Sequence, residues 1–253
     1  MLMNVFIILW RNIKWRFHNA FTIMITILQP MLWLVLYSAV AGQSMKNIGI
    51  ENYTAFILPG LIVLVSFGAC SSSGIMNYIM KRDGSFYRIL IAPIQRSSII
   101  LGQVLEAVLC TFFEVAVMCI ISMIFSVKIS SGFIGMILMA LFVFMTAFFM
   151  AGLTYAISLS LPNEAVYETA MNAIVLPIFF LSTALFPVES LSGRLAVAVN
   201  LNPFTHIINA MRSLLFDEII LSKDILPVTI LFIIMCCGSF GLALWRLKKE
   251  TVQ

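Results

Sequence analysis

Residues 132–161 run GFIGMILMALFVFMTAFFMAGLTYAISLSL, thirty positions without a charged side chain. About 20 mostly apolar residues are enough to carry a helix across a bilayer. Five further runs qualify, so spans are expected at 21–41, 54–80, 98–126, 132–161, 165–187 and 225–246. The second, third and fourth are longer than a bilayer requires and should tilt or project from it. Composition points the same way: 62% of the 253 residues are hydrophobic and 10% are charged, against about a quarter charged in soluble domains. The chain therefore reads as an all-α membrane protein with six transmembrane helices, one domain over 1–253. Its net charge of +4 does not call for a nucleic-acid partner, because in such a chain the placement of Lys and Arg matters more than their sum.

Arg11, Lys14 and Arg16 precede the first run, and Ala39-Val40-Ala41 resembles a signal-cleavage site. That run is longer than the roughly 7–15 residues of a signal core, so it reads as an uncleaved first helix. With both termini inside, ten basic residues face the cytoplasm: Arg11, Lys14, Arg16, Lys81, Arg82, Arg88, Arg96, Arg246, Lys248 and Lys249. Five face outward: Lys46, Lys128, Arg194, Arg212 and Lys223. The positive-inside rule thus favours a multi-pass protein of the cell membrane with N and C termini in the cytoplasm.

The inner connector 81–97 mixes Lys81, Arg82 and Arg88 with Phe86, Tyr87, Ile89 and Leu90 before Pro93 ends any helix. Apolar side chains on a surface usually meet a partner or lipid, so a short amphipathic docking helix is expected. Residues 1–20 show a related pattern. Val5, Ile8, Leu9, Ile13 and Phe17 recur at helical spacing beside Trp10, Trp15 and the three bases, the signature of a helix lying in the membrane interface.

Residues 188–224 are too apolar for a solvated linker and too short in each helical piece to cross. Ser190 or Ser192 can cap one short helix, and Asn202-Pro203 opens another carrying Phe204, Ile207, Ile208, Met211, Leu214 and Leu215. A re-entrant pair buried against the bundle fits this pattern.

Polar residues inside the spans are few. Glu106 and Glu114 lie eight positions apart, about 80° around the third span, and intramembrane acids are functional candidates by default. The small residues of SFGACSSSG (66–74) permit close helix approach or a smooth cargo wall. All five cysteines lie in apolar runs without metal-type spacing, and read as small buried thiols. No Gly-Lys pair occurs anywhere, so the chain has no P-loop to cradle ATP. Chemical energy must come from a separate subunit or an ion gradient.

These residues carry a resemblance to the ABC-2 type permeases, the membrane subunits of ATP-driven exporters of drugs, polysaccharides and lipid-linked material. The similar segments are Pro177 to Ser182, Phe186-Pro187, Asn202 to Thr205 and Ala210 to Arg212, together with LIAPIQRSSIILGQVL (90–105). The chain departs from the family pattern at Thr183, where Gly is common, at SGRLA (192–196), and at Asn209, where an acid is common. The resemblance implies an interfacial N-terminal helix, and a coupling helix whose Lys81, Arg82, Phe86, Tyr87, Arg88 and Ile89 meet an ATPase. It implies a translocation path between spans two and five, for which Ser66, Ser73, Asn172, Phe179, Phe180, Ser182 and Thr183 are candidates. In that coupling helix the resemblance places the Lys and Arg against the ATPase and keeps the apolar side on the membrane domain. It implies an outer motif at Asn202, Pro203 and Arg212. It further implies two copies of an ABC ATPase subunit, which would bind the ATP and Mg, and a second permease copy or related permease; no metal or cofactor is expected on this chain, and lipid surrounds it.

The leading expectation is a permease subunit of an ABC exporter moving a hydrophobic or amphipathic cargo, without catalytic residues of its own. A proton-coupled carrier using Glu114 and a non-transport membrane scaffold are the alternatives.

Overall fold

The structure is a computed structural model that describes residues 2–17, 20–46, 52–125, 127, 130–187, 193–216 and 225–250. Among them the chain is built of helices: α1 (Leu2–Arg16), α2 (Ala20–Lys46), α3 (Tyr53–Arg82), α4 (Ser85–Ile91), α5 (Arg96–Ile124), α6 (Gly132–Ser160), α7 (Glu164–Phe180), α8 (Arg194–Leu201), α9 (Pro203–Phe216) and α10 (Ile225–Glu250). Four of these, α3, α5, α6 and α10, are long and apolar enough to cross a membrane by length and composition. Helix α2 runs 27 residues around the shorter apolar stretch Leu28–Val40.

Helix α3 is the hub. Inside its most apolar 18-residue window 83% of residues are buried, against 17% for α10, so α3 is surrounded by protein while α10 shows most of its surface to the outside. Neighbouring helices approach closely because glycines leave room. A Cβ at Gly74 would overlap the Tyr167 ring from α7, one at Gly102 would sit 2.7 Å from Ile8 of α1, and one at Gly152 would sit 2.8 Å from Ser239 of α10. The small residues at the inner end of SFGACSSSG thus serve packing, as their size allows. Short polar links add to it: Asn77 Nδ2 donates to Ser158 Oγ at 2.6 Å, Thr154 Oγ1 to the Cys70 carbonyl at 3.1 Å, and Tyr167 OH to the Ser71 carbonyl at 2.9 Å.

The expected span 165–187 is shorter as a helix. Helix α7 has 17 residues, about 26 Å at 1.5 Å per residue, and Leu181–Phe186 form turns. Pro177 lies in its last turn, and the Ser182 hydroxyl turns back to donate to the Phe179 carbonyl at 2.5 Å. The freed carbonyls of Ile178 and Leu181 accept from Asn202 Nδ2 at 2.6 and 2.8 Å. An unpaired carbonyl in an apolar setting is costly, so Asn202 makes that helix end tolerable.

Helix α8 starts after Gly193, whose φ of 67° and lack of a side-chain cap replace the serine cap expected there; Ser190 and Ser192 lie outside the described residues. Helix α9 begins as expected at Pro203, with Asn202 Oδ1 accepting from Phe204 N–H at 3.0 Å. All six of its apolar side chains named above are buried. Phe204 packs against Phe67 of α3, Phe149 of α6 and Phe232 of α10, at ring-centroid distances of 4.7, 6.0 and 5.7 Å. Helix α9 is thereby wedged into the bundle. The cysteines are free; Cys70 and Cys110 are buried, whereas Cys237 is exposed, because α10 turns that face outward.

Gly102→Leu should lower stability by about 1–3 kcal/mol, the usual range for overpacking, because α1 must lift off α5. Gly68→Leu should not, since nothing lies within 4 Å of a Cβ there. Thermal unfolding of the two variants in detergent checks this; equal melting points would contradict the packing.

Candidate functional site

A half-open groove of about 580 Å³ runs between α2, α3 and α7. Helix α7 contributes one face: Glu168, Met171, Asn172, Val175, Phe179 and Phe180, spaced at three and four residues so that they stack along one side. Helix α3 contributes Leu64, Phe67, Gly68, Ser71, Ser72 and Ile75 in the same manner, and α2 contributes Gln29, Trp33 and Tyr37. Trp33 and Tyr37 stack at 5.5 Å, and Phe179 meets Phe180 edge to face at 5.5 Å.

The expected pairing of spans two and five is therefore present as α3 and α7, and Asn172, Phe179 and Phe180 line the groove. Ser66, Ser73, Ser182 and Thr183 do not. Ser66 and Ser73 lie on the opposite side of α3: Ser66 donates to its own Ile62 carbonyl at 2.7 Å, and Ser73 to Glu106 Oε2 at 2.6 Å. Ser182 closes α7, and Thr183 donates to Asn209 Oδ1 at 2.8 Å. An α3 that is apolar on every side gives no rotation from periodicity, so sequence could not tell Ser71 and Ser72 from Ser73.

Behind the groove lies a buried polar network. Arg16 Nη1 of α1 pairs with Glu106 Oε1 of α5 at 2.9 Å, with 10% and 0% of the two side chains exposed. Glu106 also accepts from Ser73, and from the Cys110 thiol at 3.4 Å. Gln103 Nε2 donates to the Ser73 carbonyl at 3.3 Å, Asn12 Nδ2 donates to Gln103 Oε1 at 2.9 Å, and Arg11 Nη2 donates to Asn12 Oδ1 at 2.8 Å. Asn12, Gln103 and Arg16 carried no signal as site residues, although a buried acid demands a base and Arg16 is the last one before the second helix. Glu114, two turns further along α5, is 8% exposed and has no hydrogen-bond partner among the described residues.

The two arms of the inner connector separate by side. Gly84, at φ 72°, is the left-handed hinge between α3 and α4, a conformation that other residues adopt only with strain. Phe86 is buried and Ile89 half-buried against the core. Lys81 stands over the Phe86 ring at 5.3 Å and pairs with Glu250 at 3.3 Å. Lys81, Phe86 and Ile89 thus have contacts within the chain. Arg82, Tyr87, Arg88 and Ile91 are exposed.

At the opposite end, Arg212 gathers the outer elements. Its guanidinium donates to the carbonyls of Phe56 (3.1 Å) and Thr183 (2.7 Å) and to Asn209 Oδ1 (3.1 Å), and lies 3.7 Å from the Phe56 ring centroid. The Thr183–Asn209 bond ties the turn after α7 to α9 at the same place.

Comparison with known proteins bears on this architecture. Residues 3–216 match the family model described as ABC-2 type transporter. The chain belongs to the ABC-2 type transporter family. Relatives of this permease include the transport permease ycf38 of Porphyra purpurea, 30% identical over 195 residues that cover 76% of this chain and 66% of the relative. The protein of that name from Cyanophora paradoxa is 26% identical over 196 residues, covering 76% and 67%. ABC transporter G family member 20 of Dictyostelium discoideum is 24% identical over 183 residues, 67% of this chain but 23% of that protein. The permease thus spans about two thirds of the length of the first two. It is a multi-pass membrane protein with the all-α ABC-2 fold, and its family implies an ABC ATPase partner.

Removing only one partner of a buried ion pair strands the other charge, at about 3–5 kcal/mol, whereas replacing both is often near neutral. Glu106→Leu should therefore strongly destabilise the permease, and Arg16→Met with Glu106→Leu should recover most of the loss. A double variant melting no higher than the single one would show that the pair is not coupled.

Proposed function

We propose that this chain is the permease subunit of an ABC exporter that carries a hydrophobic or amphipathic molecule out of the cell, driven by a separate ATPase. The observation that carries the reading is the groove between α2, α3 and α7, whose volume of about 580 Å³ falls in the ordinary range for small-molecule sites, about 300–1,000 Å³. It is open along one side, beside the exposed Val166, Leu176 and Phe180 of α7. A second permease copy, or a related permease, facing this side closes it into a path.

Energy reaches the groove from the inner end in this reading. Helix α4 with Arg82, Tyr87 and Arg88 outward is the coupling helix, and two ATPase subunits, holding ATP and Mg, push on it and on α1. Supporting the inward placement of both termini, Lys81 pairs with Glu250 near the C-terminal end of α10, and Arg11 Nη2 lies 3.2 Å from Met80 Sδ. Helix α1, the end of α3, α4 and the end of α10 therefore share one end of the bundle with most of the basic residues. Six crossings follow if α2 and α7 also span, with α8 and α9 as the re-entrant outer pair at 188–224 holding Asn202, Pro203 and Arg212. A carrier titrating Glu114 would need that carboxylate on the path, and Glu114 is not among the groove's lining residues.

Charge reversal at Arg82 and Arg88 is expected to abolish cargo-stimulated ATP hydrolysis by the reconstituted complex while leaving the permease folded, since both side chains are exposed. Undiminished ATPase stimulation and export by that variant would defeat the coupling role of α4.

A further inference from the structure

We infer that the groove selects a hydrophobic cation, such as a protonated or quaternary amine with an aromatic or aliphatic body, with Glu168 receiving the charge. The inference rests on the permease reading and narrows its cargo.

Charge in the groove runs against the chain as a whole. The protein has 15 Lys and Arg against 11 Asp and Glu, yet among the described residues the lining holds one carboxylate, Glu168, and no Lys, Arg or His. Glu168 has no salt-bridge partner among the described residues. A helix N-terminus attracts acids, but that duty at α7 is already met. Asn163 Oδ1 accepts from Val166 N–H at 2.9 Å and Glu164 occupies the first turn. Glu168 lies beyond that turn, where the dipole's pull has faded. Its position on the groove face is left to be explained by what enters the groove.

Polarity is also graded along the groove. Glu168 and Asn172 of α7, Ser71 and Ser72 of α3 and Gln29 of α2 supply the polar groups. Toward the other end of α7 stand Phe179 and Phe180, with Phe67 and Trp33 on the facing helices. Glu168 and Phe179 are eleven residues apart, about 16 Å along the helix, the length of an amphipath with its charged group at one end. Aromatic faces attract cations and repel anions, so the aromatic end and Glu168 agree in sign. A phosphate-bearing or carboxylate-rich cargo would meet no positive group among the described residues of this groove.

The test uses two probes of the same shape and opposite charge, tetraphenylphosphonium and tetraphenylborate. Equilibrium binding is measured on the full chain in nanodiscs of zwitterionic lipid, with empty nanodiscs subtracted. The native protein should bind tetraphenylphosphonium saturably and in preference to tetraphenylborate. Glu168→Gln should weaken the cation about threefold to tenfold, as loss of one partly screened charge contact does, and Glu168→Lys should reverse the preference. Phe180→Ala should weaken the cation more than the anion. Because Glu168 is exposed on the groove face, these variants are expected to fold, and their melting points verify it. Equal cation binding by native, Glu168→Gln and Glu168→Lys proteins, or a native preference for tetraphenylborate, overturns the inference. The permease reading fails separately: it falls if the complex with its ABC ATPase moves no probe on ATP addition while charge-selective binding persists. ATP-driven export of neutral cargo alone, indifferent to residue 168, would spare the permease and remove the cation.

Discussion

An arginine and a glutamate face each other within an otherwise greasy bundle, and much of one half is arranged around them. Two ions removed from water lose several kcal/mol of solvation each, which a single Coulomb contact does not dependably restore. Arg16 and Glu106 therefore need further partners, and they have them: the Ser73 hydroxyl, the Cys110 thiol and the Ala69 carbonyl, which accepts from Arg16 Nη2 at 3.4 Å. Each of those partners belongs to α3 or α5. The pair is satisfied only while α1, α3 and α5 keep one mutual arrangement, so a charge that would be a liability alone becomes a register pin for three helices.

The opposite half solves a different problem. There α7 stops short, leaving carbonyls without N–H partners in an apolar setting. Asn202 supplies two donors to them while its oxygen starts α9, and Arg212 bonds the carbonyls of Phe56 and Thr183 across three elements. One asparagine and one arginine thereby let two irregular backbone segments sit inside the bundle, where regular helix is otherwise demanded. Between the two polar ends, cohesion comes from shape: Tyr167 over Gly74, Ile8 over Gly102 and Ser239 over Gly152.

What could be read from the sequence follows from which physical signals are one-dimensional. Run length and the Pro and Asn punctuation placed α1, α3, α4, α5, α6, α9 and α10 to within a few residues. Helix rotation is not one-dimensional in a chain apolar on every side. Ser73 was grouped with Ser66 as a path residue because nothing in the local pattern separates it from Ser71 and Ser72, yet one residue is 100° of turn and puts Ser73 on Glu106. Phe86 and Ile89 of α4 turn to the bundle, and Lys81 just before α4 pairs with Glu250, a partner 169 positions away that no local pattern shows. Glu168 was passed over because it stands near a helix start, where acids are ordinary; only the groove distinguishes it from Glu164.

The geometry of α3 joins these parts. Ser71, Ser72 and Ile75 give it a groove wall, while Ser73 and Asn77 on its other side bond to α5 and α6. Its last residues, Lys81 and Arg82, lead directly through Gly84 into α4. The hinge residue has no close neighbours, but Phe86 is buried beyond it and Lys81 is clamped before it. A displacement of α4 is therefore not absorbed by a loose loop. In the coupling proposed above, it would pass through Phe86 and Lys81 to the end of α3, the helix whose side chains face the groove. The network on the back of α3 ties α1 and α5 to that helix, and Tyr167 ties α7 to it from the groove side, its hydroxyl donating to the Ser71 carbonyl at 2.9 Å.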